Sequence, residues 1–225
     1  MAGSLREAIR LYKTKRWDLA LAELLEVGGS DAADNADIAY FLGLCYTKLG
    51  RYDDALLYLE QVVTSGADMV RAYQCRMALA YVYTITGRSR LAEFELKQLV
   101  DAGYESVQIY STLAYASWHQ KRVEPALDYY GKALSLDAES PTPLNGLGYV
   151  LVDSERDPRK GLVLCKKAVD RKPQNPAYLD SLGWAHYKNG DLPEAKTWLR
   201  RALDLSPRNP DIIGHMRVVV GENPA

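Results

Sequence analysis

The sequence has almost no surplus of charge and no long hydrophobic run. Its 28 Lys and Arg residues are balanced by 29 Asp and Glu residues, which gives a formal net charge of −1 at pH 7. Because phosphate binding relies on surplus positive charge, we expect no nucleic-acid partner. No apolar stretch approaches the ~20 residues that span a bilayer, and no charged-then-apolar signal peptide opens the sequence. We therefore expect no membrane insertion.

Cysteine is scarce, and the three residues Cys45, Cys75 and Cys165 lie far apart. No CxxC or Cys/His spacing is present, so neither a disulfide framework nor a zinc site is supported. Isolated cysteines often pack as small apolar groups, and we expect buried free thiols. Free thiols favour a reducing compartment. A cytoplasmic location is therefore favoured, with removal of an export signal from the start of the chain as the alternative.

Motifs that carry chemistry are also absent from the sequence. No paired carboxylates, Ser/His/Asp set, Cys/His set or glycine-rich phosphate loop stands out at a convincing spacing. We therefore expect a protein that is not an enzyme, with no cofactor and no bound metal.

Two columns of small residues recur along the chain and reveal an internal repeat. All twelve positions hold Ala or Gly, and successive members of the first column are 34 to 37 residues apart. The first column consists of Ala8, Gly43, Ala80, Ala114, Gly148 and Gly183. The second column follows twelve or thirteen residues later and consists of Ala20, Ala55, Ala92, Ala126, Gly161 and Ala195. This spacing predicts a repeated structural unit of about 35 residues.

Each unit has the pattern of two helices joined by a turn. Apolar residues in each half follow the i, i+3, i+4, i+7 spacing of an amphipathic helix. Glycine suits the left-handed backbone conformation at the end of a helix, and proline suits the first turn of a helix. The segments between the halves contain Gly50, Gly87, Gly190, Pro125, Pro158 and Pro193. The small residues then mark the point where two helix backbones meet. Because one hairpin cannot bury its own apolar face, the units are expected to stack into an all-α solenoid.

The repeat resembles the tetratricopeptide repeat (TPR) family over nearly the whole chain. The best unit is PAYLDSLGWAHYKNGDLPEAKTWLRRALDLSPRN, residues 176–209, with Leu182, Gly183, Tyr187, Gly190, Ala195, Ala202 and Pro207 at motif positions. The resemblance implies a right-handed solenoid of stacked antiparallel helix hairpins, forming a single domain over residues 1–225. Six units are expected to begin near residues 1, 36, 73, 107, 141 and 176, followed by a capping helix at 210–225. An extra residue in the segment DSERDP and Gly161 in place of Ala are expected to loosen the fifth hairpin.

Aromatic residues form a second pattern on the first helix of each unit. At 100° per residue, Trp184 points roughly 150° away from the arc that packs against the partner helix of its hairpin. In the TPR family that direction is the concave inner surface. The predicted groove residues are Tyr40, Tyr81, Tyr115, Trp118, Tyr149, Trp184 and Tyr187, with polar groups on Asn145 and Asp180.

Such a groove is typical of a protein-protein interaction module or adaptor. Rigid aromatic rings give a large contact area, and amide groups can pair with a peptide backbone. We therefore expect the groove to bind an extended peptide or a partner helix. In the alternative interpretation the rings pack between neighbouring first helices and have no binding role. A terminal-carboxylate clamp is not expected, because only Asn145 of its Lys, Arg and Asn set is present at these positions, and it lies in a different unit.

A structural scaffold or homo-oligomeric assembly module is the alternative function. In that case the ends or the convex face of the solenoid would make the contacts. Ile213 and Val220 fall outside the apolar stripe that can pack on the sixth hairpin. These two residues are therefore candidates for a contact with another copy of the chain or with a further segment.

Overall fold

The computed structural model describes residues 4–27, 32–65 and 69–221. Within these ranges the chain forms thirteen α-helices and contains no strand. None of these helices has both the length and the apolar character needed to cross a membrane. The chain divides into two compact units, Met1–Tyr104 and Glu105–Ala225. The predicted all-α class is confirmed, while the single-domain organisation stays a prediction.

The N-terminal unit is a stack of three helix hairpins. Each first helix packs against the second helix of its own hairpin, and neighbouring first helices within the unit contact each other. The six helices are α1 (Leu5–Lys13), α2 (Trp17–Glu26), α3 (Ala32–Lys48), α4 (Tyr52–Thr64), α5 (Met69–Ile85) and α6 (Ser89–Asp101).

The C-terminal unit repeats this arrangement and ends on a single helix. The first helix of each of its three hairpins and the final single helix pack side by side and form one face of the unit. The helices are α7 (Val107–His119), α8 (Val123–Leu136), α9 (Pro141–Asp153), α10 (Pro158–Arg171), α11 (Pro176–Lys188), α12 (Leu192–Leu205) and α13 (Pro210–Val220). The last four residues of the predicted cap, 222–225, lie outside the described residues.

The predicted unit starts agree with the helices in the C-terminal unit and differ in the N-terminal unit. Helices α3 and α5 begin four residues before the predicted starts at 36 and 73, and each is 17 residues long. By contrast, α9, α11 and α13 begin at a proline. A proline at the first helical position fixes the start, because it removes an N–H and restricts the residue before it. No proline limits α3 or α5 in this way.

Every hairpin turn contains one residue with positive φ. Three are glycines that the sequence identifies, with φ of 72° at Gly50, 73° at Gly87 and 86° at Gly190. The other three turns use Lys15, Lys121 and Glu155, with φ of 62°, 62° and 57°. A side chain with a Cβ is strained in this region. The turn conformation is therefore dictated by the hairpin geometry even where the residue is unfavourable.

The two small-residue columns lie at the helix contacts, as predicted. All twelve residues are buried. At Gly183, an added Cβ would lie 2.7 Å from Leu199 Cγ and 3.2 Å from the carbonyl oxygen of Ala195. No larger residue fits there without a shift of the Leu199 side chain or of the helix that carries it.

The fifth hairpin is tight, and the prediction that Gly161 loosens it is wrong. A Cβ at Gly161 would lie 2.6 Å from the carbonyl oxygen of Gly148 and 2.5 Å from Val152 Cγ2. The glycine pair lets the two helix backbones touch directly. Replacing Ala with Gly therefore draws these helices together.

The three cysteines are free and buried, as expected. Burial raises the pKa of the Cys45 and Cys165 thiols to about 12. Both therefore stay protonated near neutral pH, and they act as small apolar core groups.

Candidate functional site

A cavity of about 560 Å³ opens on the first-helix face of the C-terminal unit. Its walls come from α7, α9, α11 and α13, with Tyr130 of α8 below. Five of the nine predicted groove residues line it, namely Tyr115, Trp118, Asn145, Tyr149 and Asp180. The structure thus brings together side chains that are up to 65 residues apart in the sequence.

The first wall of the cavity is aromatic. Trp118 of α7 and Tyr149 of α9 meet edge to face, with ring centroids 6.1 Å apart. Tyr115 lies one turn before Trp118, is 43% exposed, and packs on the His119 ring at 4.2 Å. Burial raises the pKa of both tyrosines, and nearby carboxylates including Asp211 raise it further. Both phenols therefore stay protonated near neutral pH and can donate hydrogen bonds.

The opposite wall is acidic. His215 Nδ1 of α13 lies 2.9 Å from both carboxylate oxygens of Asp180 on α11. Since the carboxylate can only accept, Nδ1 carries the hydrogen and donates. Asp211 lies one turn earlier on α13, where the Asn209 side chain caps the helix by accepting from the Asp211 and Ile212 N–H groups. The cap and Pro210 fix the start of α13 and hence the position of Asp211.

The floor of the cavity depends on a glycine. Tyr130 reaches from α8 beneath Gly146 of α9, and a Cβ at Gly146 would overlap the tyrosine ring. Both residues line the cavity, and burial raises the pKa of the Tyr130 phenol. Gly146 lies outside the two small-residue columns, so the repeat pattern gives no sign of its role.

Asn145 contributes an unsatisfied polar group. It lies on α9 beside Gly146 and lines the cavity, and its buried Oδ1 has no hydrogen-bond partner within the described part of the chain. A buried acceptor without a donor costs about 1–3 kcal/mol. Rotation of this amide towards a donor in the cavity would recover that cost.

Trp184 does not line the cavity, contrary to the groove prediction. It is only 9% exposed and belongs to the hydrophobic core of the C-terminal unit. Its indole Nε1 donates to Asp153 Oδ1 at 2.9 Å, and its ring stacks on His215 at 4.4 Å. The Tyr187 ring also stacks on the Trp184 ring, with the two ring centroids 5.1 Å apart. Trp184 thus packs between neighbouring first helices, which is the alternative that the sequence analysis left open.

The other two predicted aromatics belong to the N-terminal unit. Tyr40 is on α3 and donates to the Gln74 carboxamide oxygen on α5. Tyr81 is on α5, and its side chain is half exposed. Both lie on first helices, as predicted, and a role for them in binding stays a prediction.

His215 and Asp211 were missed by the sequence analysis. One signal was present: Asp180 and His215 are 35 residues apart, close to one repeat. Other bonds between adjacent hairpins have similar separations, as in Thr142–Tyr178 (36) and Glu155–Lys188 (33). A search for polar pairs one repeat apart would have found the Asp180–His215 pair.

Stacked helix hairpins with small residues at every helix crossing define the class of α-helical repeat proteins. Within that class, tetratricopeptide repeat models match residues 5–70, 76–141 and 176–209. The chain belongs to the tetratricopeptide repeat family. Proteins of this family generally mediate protein–protein interactions and are generally non-enzymatic.

Relatives and solved structures agree with this assignment. A TPR repeat-containing protein of Pseudomonas aeruginosa, PA4667, is 34% identical over 83 residues, which are 37% of this chain and 14% of that protein. The structure of TTC0263, a thermophilic TPR protein of Thermus thermophilus, has a TM-score of 0.64 at 20% identity, and the match covers 82% of this chain and 98% of that one. YrrB, described as a TPR protein with an unusual peptide-binding site, has a TM-score of 0.56 at 16% identity, covering 87% and 96%. The likeness to these two structures shows the fold alone.

Proposed function

We propose that the protein is a non-enzymatic interaction module that binds an extended peptide or a partner helix in the cavity of its C-terminal unit. The observation that carries this proposal is the open aromatic wall of Tyr115, Trp118 and Tyr149, which faces polar groups across a cavity of about 560 Å³. That volume is in the range of sites that enclose a small ligand or several side chains. The description of YrrB as a peptide-binding TPR protein is compatible with it.

The aromatic wall suits a protein ligand for a physical reason. Tyr and Trp supply large contact area and have only two side-chain torsions to fix, so little entropy is lost on binding. Trp118 and Tyr149 already hold each other edge to face. A ligand therefore meets a preformed surface, which reduces the cost of ordering the site.

Selection from a displayed library of random dodecapeptides, followed by fluorescence titration, tests the proposal. Tyr115 is the best target, because 43% of it is exposed and its removal spares the core. We expect Tyr115→Ala to weaken the selected peptides at least about tenfold, which corresponds to about 1.4 kcal/mol. Phe94→Ala is the matched control, since Phe94 is an exposed aromatic on α6. Equal affinity in wild type and Tyr115→Ala would refute binding in the cavity.

A scaffold or homo-oligomeric role is the second candidate, and it is favoured by one observation. Val218 and Val220 of α13 are both about two-fifths exposed, at 40% and 42%. Ile213 is partly buried on the same helix. Val220 and Ile213 would then contact another copy, and their substitution is considered in the Discussion.

A further inference from the structure

We propose that the cavity selects a basic side chain, arginine or lysine, of the bound protein segment. This inference rests on the proposed peptide-binding function and names the chemistry of the partner. The occupant is thus a segment of another protein that places at least one basic residue between the aromatic wall and the acidic wall.

The charges around the cavity are complementary to a cation. Asp180 and Asp211 both line it, and none of the described residues that line it is Lys or Arg. Asp211 lies close enough to Tyr115, Tyr149 and His119 to affect the pKa of all three, which places its charge within reach of the aromatic wall.

Two histidines line the cavity, and two lysines lie over tryptophan rings of the same unit. His119 is kept neutral because burial, helped by Lys121, lowers its pKa. Lys121 lies over the Trp118 ring, 5.9 Å from its centroid, and is not among the lining residues. Lys188 is paired with Glu155 at 2.6 Å. His215 is paired with Asp180 at 2.9 Å, and Asp211 takes part in no ion pair within the described part of the chain.

The hydrogen-bonding groups and the rings favour the same ligand. Ionised Asp180 and Asp211 can only accept hydrogen bonds, whereas guanidinium and ammonium groups can only donate them. Tyr115, Trp118 and Tyr149 add ring faces and edges, and a cation is attracted to the face of an aromatic ring. An acidic side chain or a terminal carboxylate would instead meet two carboxylates and no lining cation. The hydrogen-bond acceptors and the aromatic rings of the cavity therefore suit arginine best, with lysine second.

The random dodecapeptide library is the probe for this inference. Four proteins are compared: wild type, Asp211→Asn, Asp211→Lys and the control Asp204→Asn, whose carboxylate is exposed on α12 outside the cavity. We expect wild type and Asp204→Asn to enrich Arg and Lys in cavity-dependent binders. Asp211→Asn should reduce this enrichment, and Asp211→Lys should reverse it towards Asp and Glu. Circular dichroism establishes that all four proteins are folded.

One selected peptide then gives the magnitude. Its basic residue is replaced by citrulline, which keeps the shape of arginine and loses the charge. We expect wild type to bind the citrulline peptide about tenfold more weakly, and we expect this difference to shrink in Asp211→Asn.

The outcomes separate this inference from the proposed function. Binders that depend on Tyr115 but show no basic enrichment would overturn the basic-residue inference and leave peptide binding intact. Basic enrichment that persists in an Asp180→Asn/Asp211→Asn double variant would also overturn it, because the preference would then arise elsewhere. If no selected peptide depends on Tyr115, the proposed function fails and the inference fails with it.

Discussion

Gly161→Ala is expected to destabilise the protein, although Ala stands at the equivalent position in the other five hairpins. The new Cβ would lie 2.6 Å from the Gly148 carbonyl oxygen and 2.5 Å from Val152 Cγ2, so α9 and α10 must separate. Such overpacking costs about 1–3 kcal/mol, and the upper part of that range applies because a backbone atom must move. Replacing Gly with Ala inside a helix recovers about 1 kcal/mol. The net expected loss is about 1–2 kcal/mol.

Urea denaturation followed by circular dichroism measures this change, with Gly131→Ala as the matched control. Gly131 lies within α8, and a Cβ added there meets nothing within 4 Å. It should therefore stabilise the protein by about 0.5–1 kcal/mol through helix propensity alone. If both substitutions stabilise the protein equally, the close backbone approach at Gly161 is refuted.

Three further predictions concern the turns, the core and α13. Lys15→Gly should stabilise the protein by about 0.5–1 kcal/mol in urea denaturation, because glycine relieves the strain at φ of 62°. Trp184→Ala should cost about 3–5 kcal/mol in the same assay, because it empties a core position and removes the indole bond to Asp153. Ile213→Lys/Val220→Lys should lower the mass measured by light scattering if α13 contacts another copy of the chain.

Each of these three predictions has a clear opposing result. A loss of stability in Lys15→Gly would mean that the lysine side chain makes a contact worth more than the backbone strain. A loss of stability below about 1 kcal/mol for Trp184→Ala would indicate that Trp184 is exposed, since substitutions of exposed residues have small effects. A monomeric mass both before and after the double lysine substitution would refute the hypothesis of self-association through α13.

The hairpin architecture could be predicted because its cause is local and repeated. Close helix crossings require small residues, and the crossings recur at one repeat length, so the two columns are visible in a single sequence. The starts of α3 and α5 could not be predicted in the same way. No proline fixes them, and a helix then extends as far as its residues and neighbours allow.

The candidate site was only partly predictable. The angle of a residue around its helix gives the direction of its side chain, but it does not identify the residues that the side chain contacts. Tyr115 and Trp184 occupy equivalent positions in their units, yet one is 43% exposed and the other is 9% exposed. The difference comes from what lies beside each ring. Trp184 has His215 of α13 stacked on its face, and a single helix wheel contains no information about that neighbour.

The position of α13 also sets the order in which the cavity can form. Because α13 supplies Asp211 and His215, it completes the acidic wall. It is also the most C-terminal of the four helices around the cavity, so a ribosome makes it after the other three. A nascent chain that has folded up to α12 would already present Tyr115, Trp118 and Tyr149 without the complete acidic wall. Under the proposed function, ligand recognition by this unit would therefore become available only after α13 has left the ribosome and docked on α11 and α12.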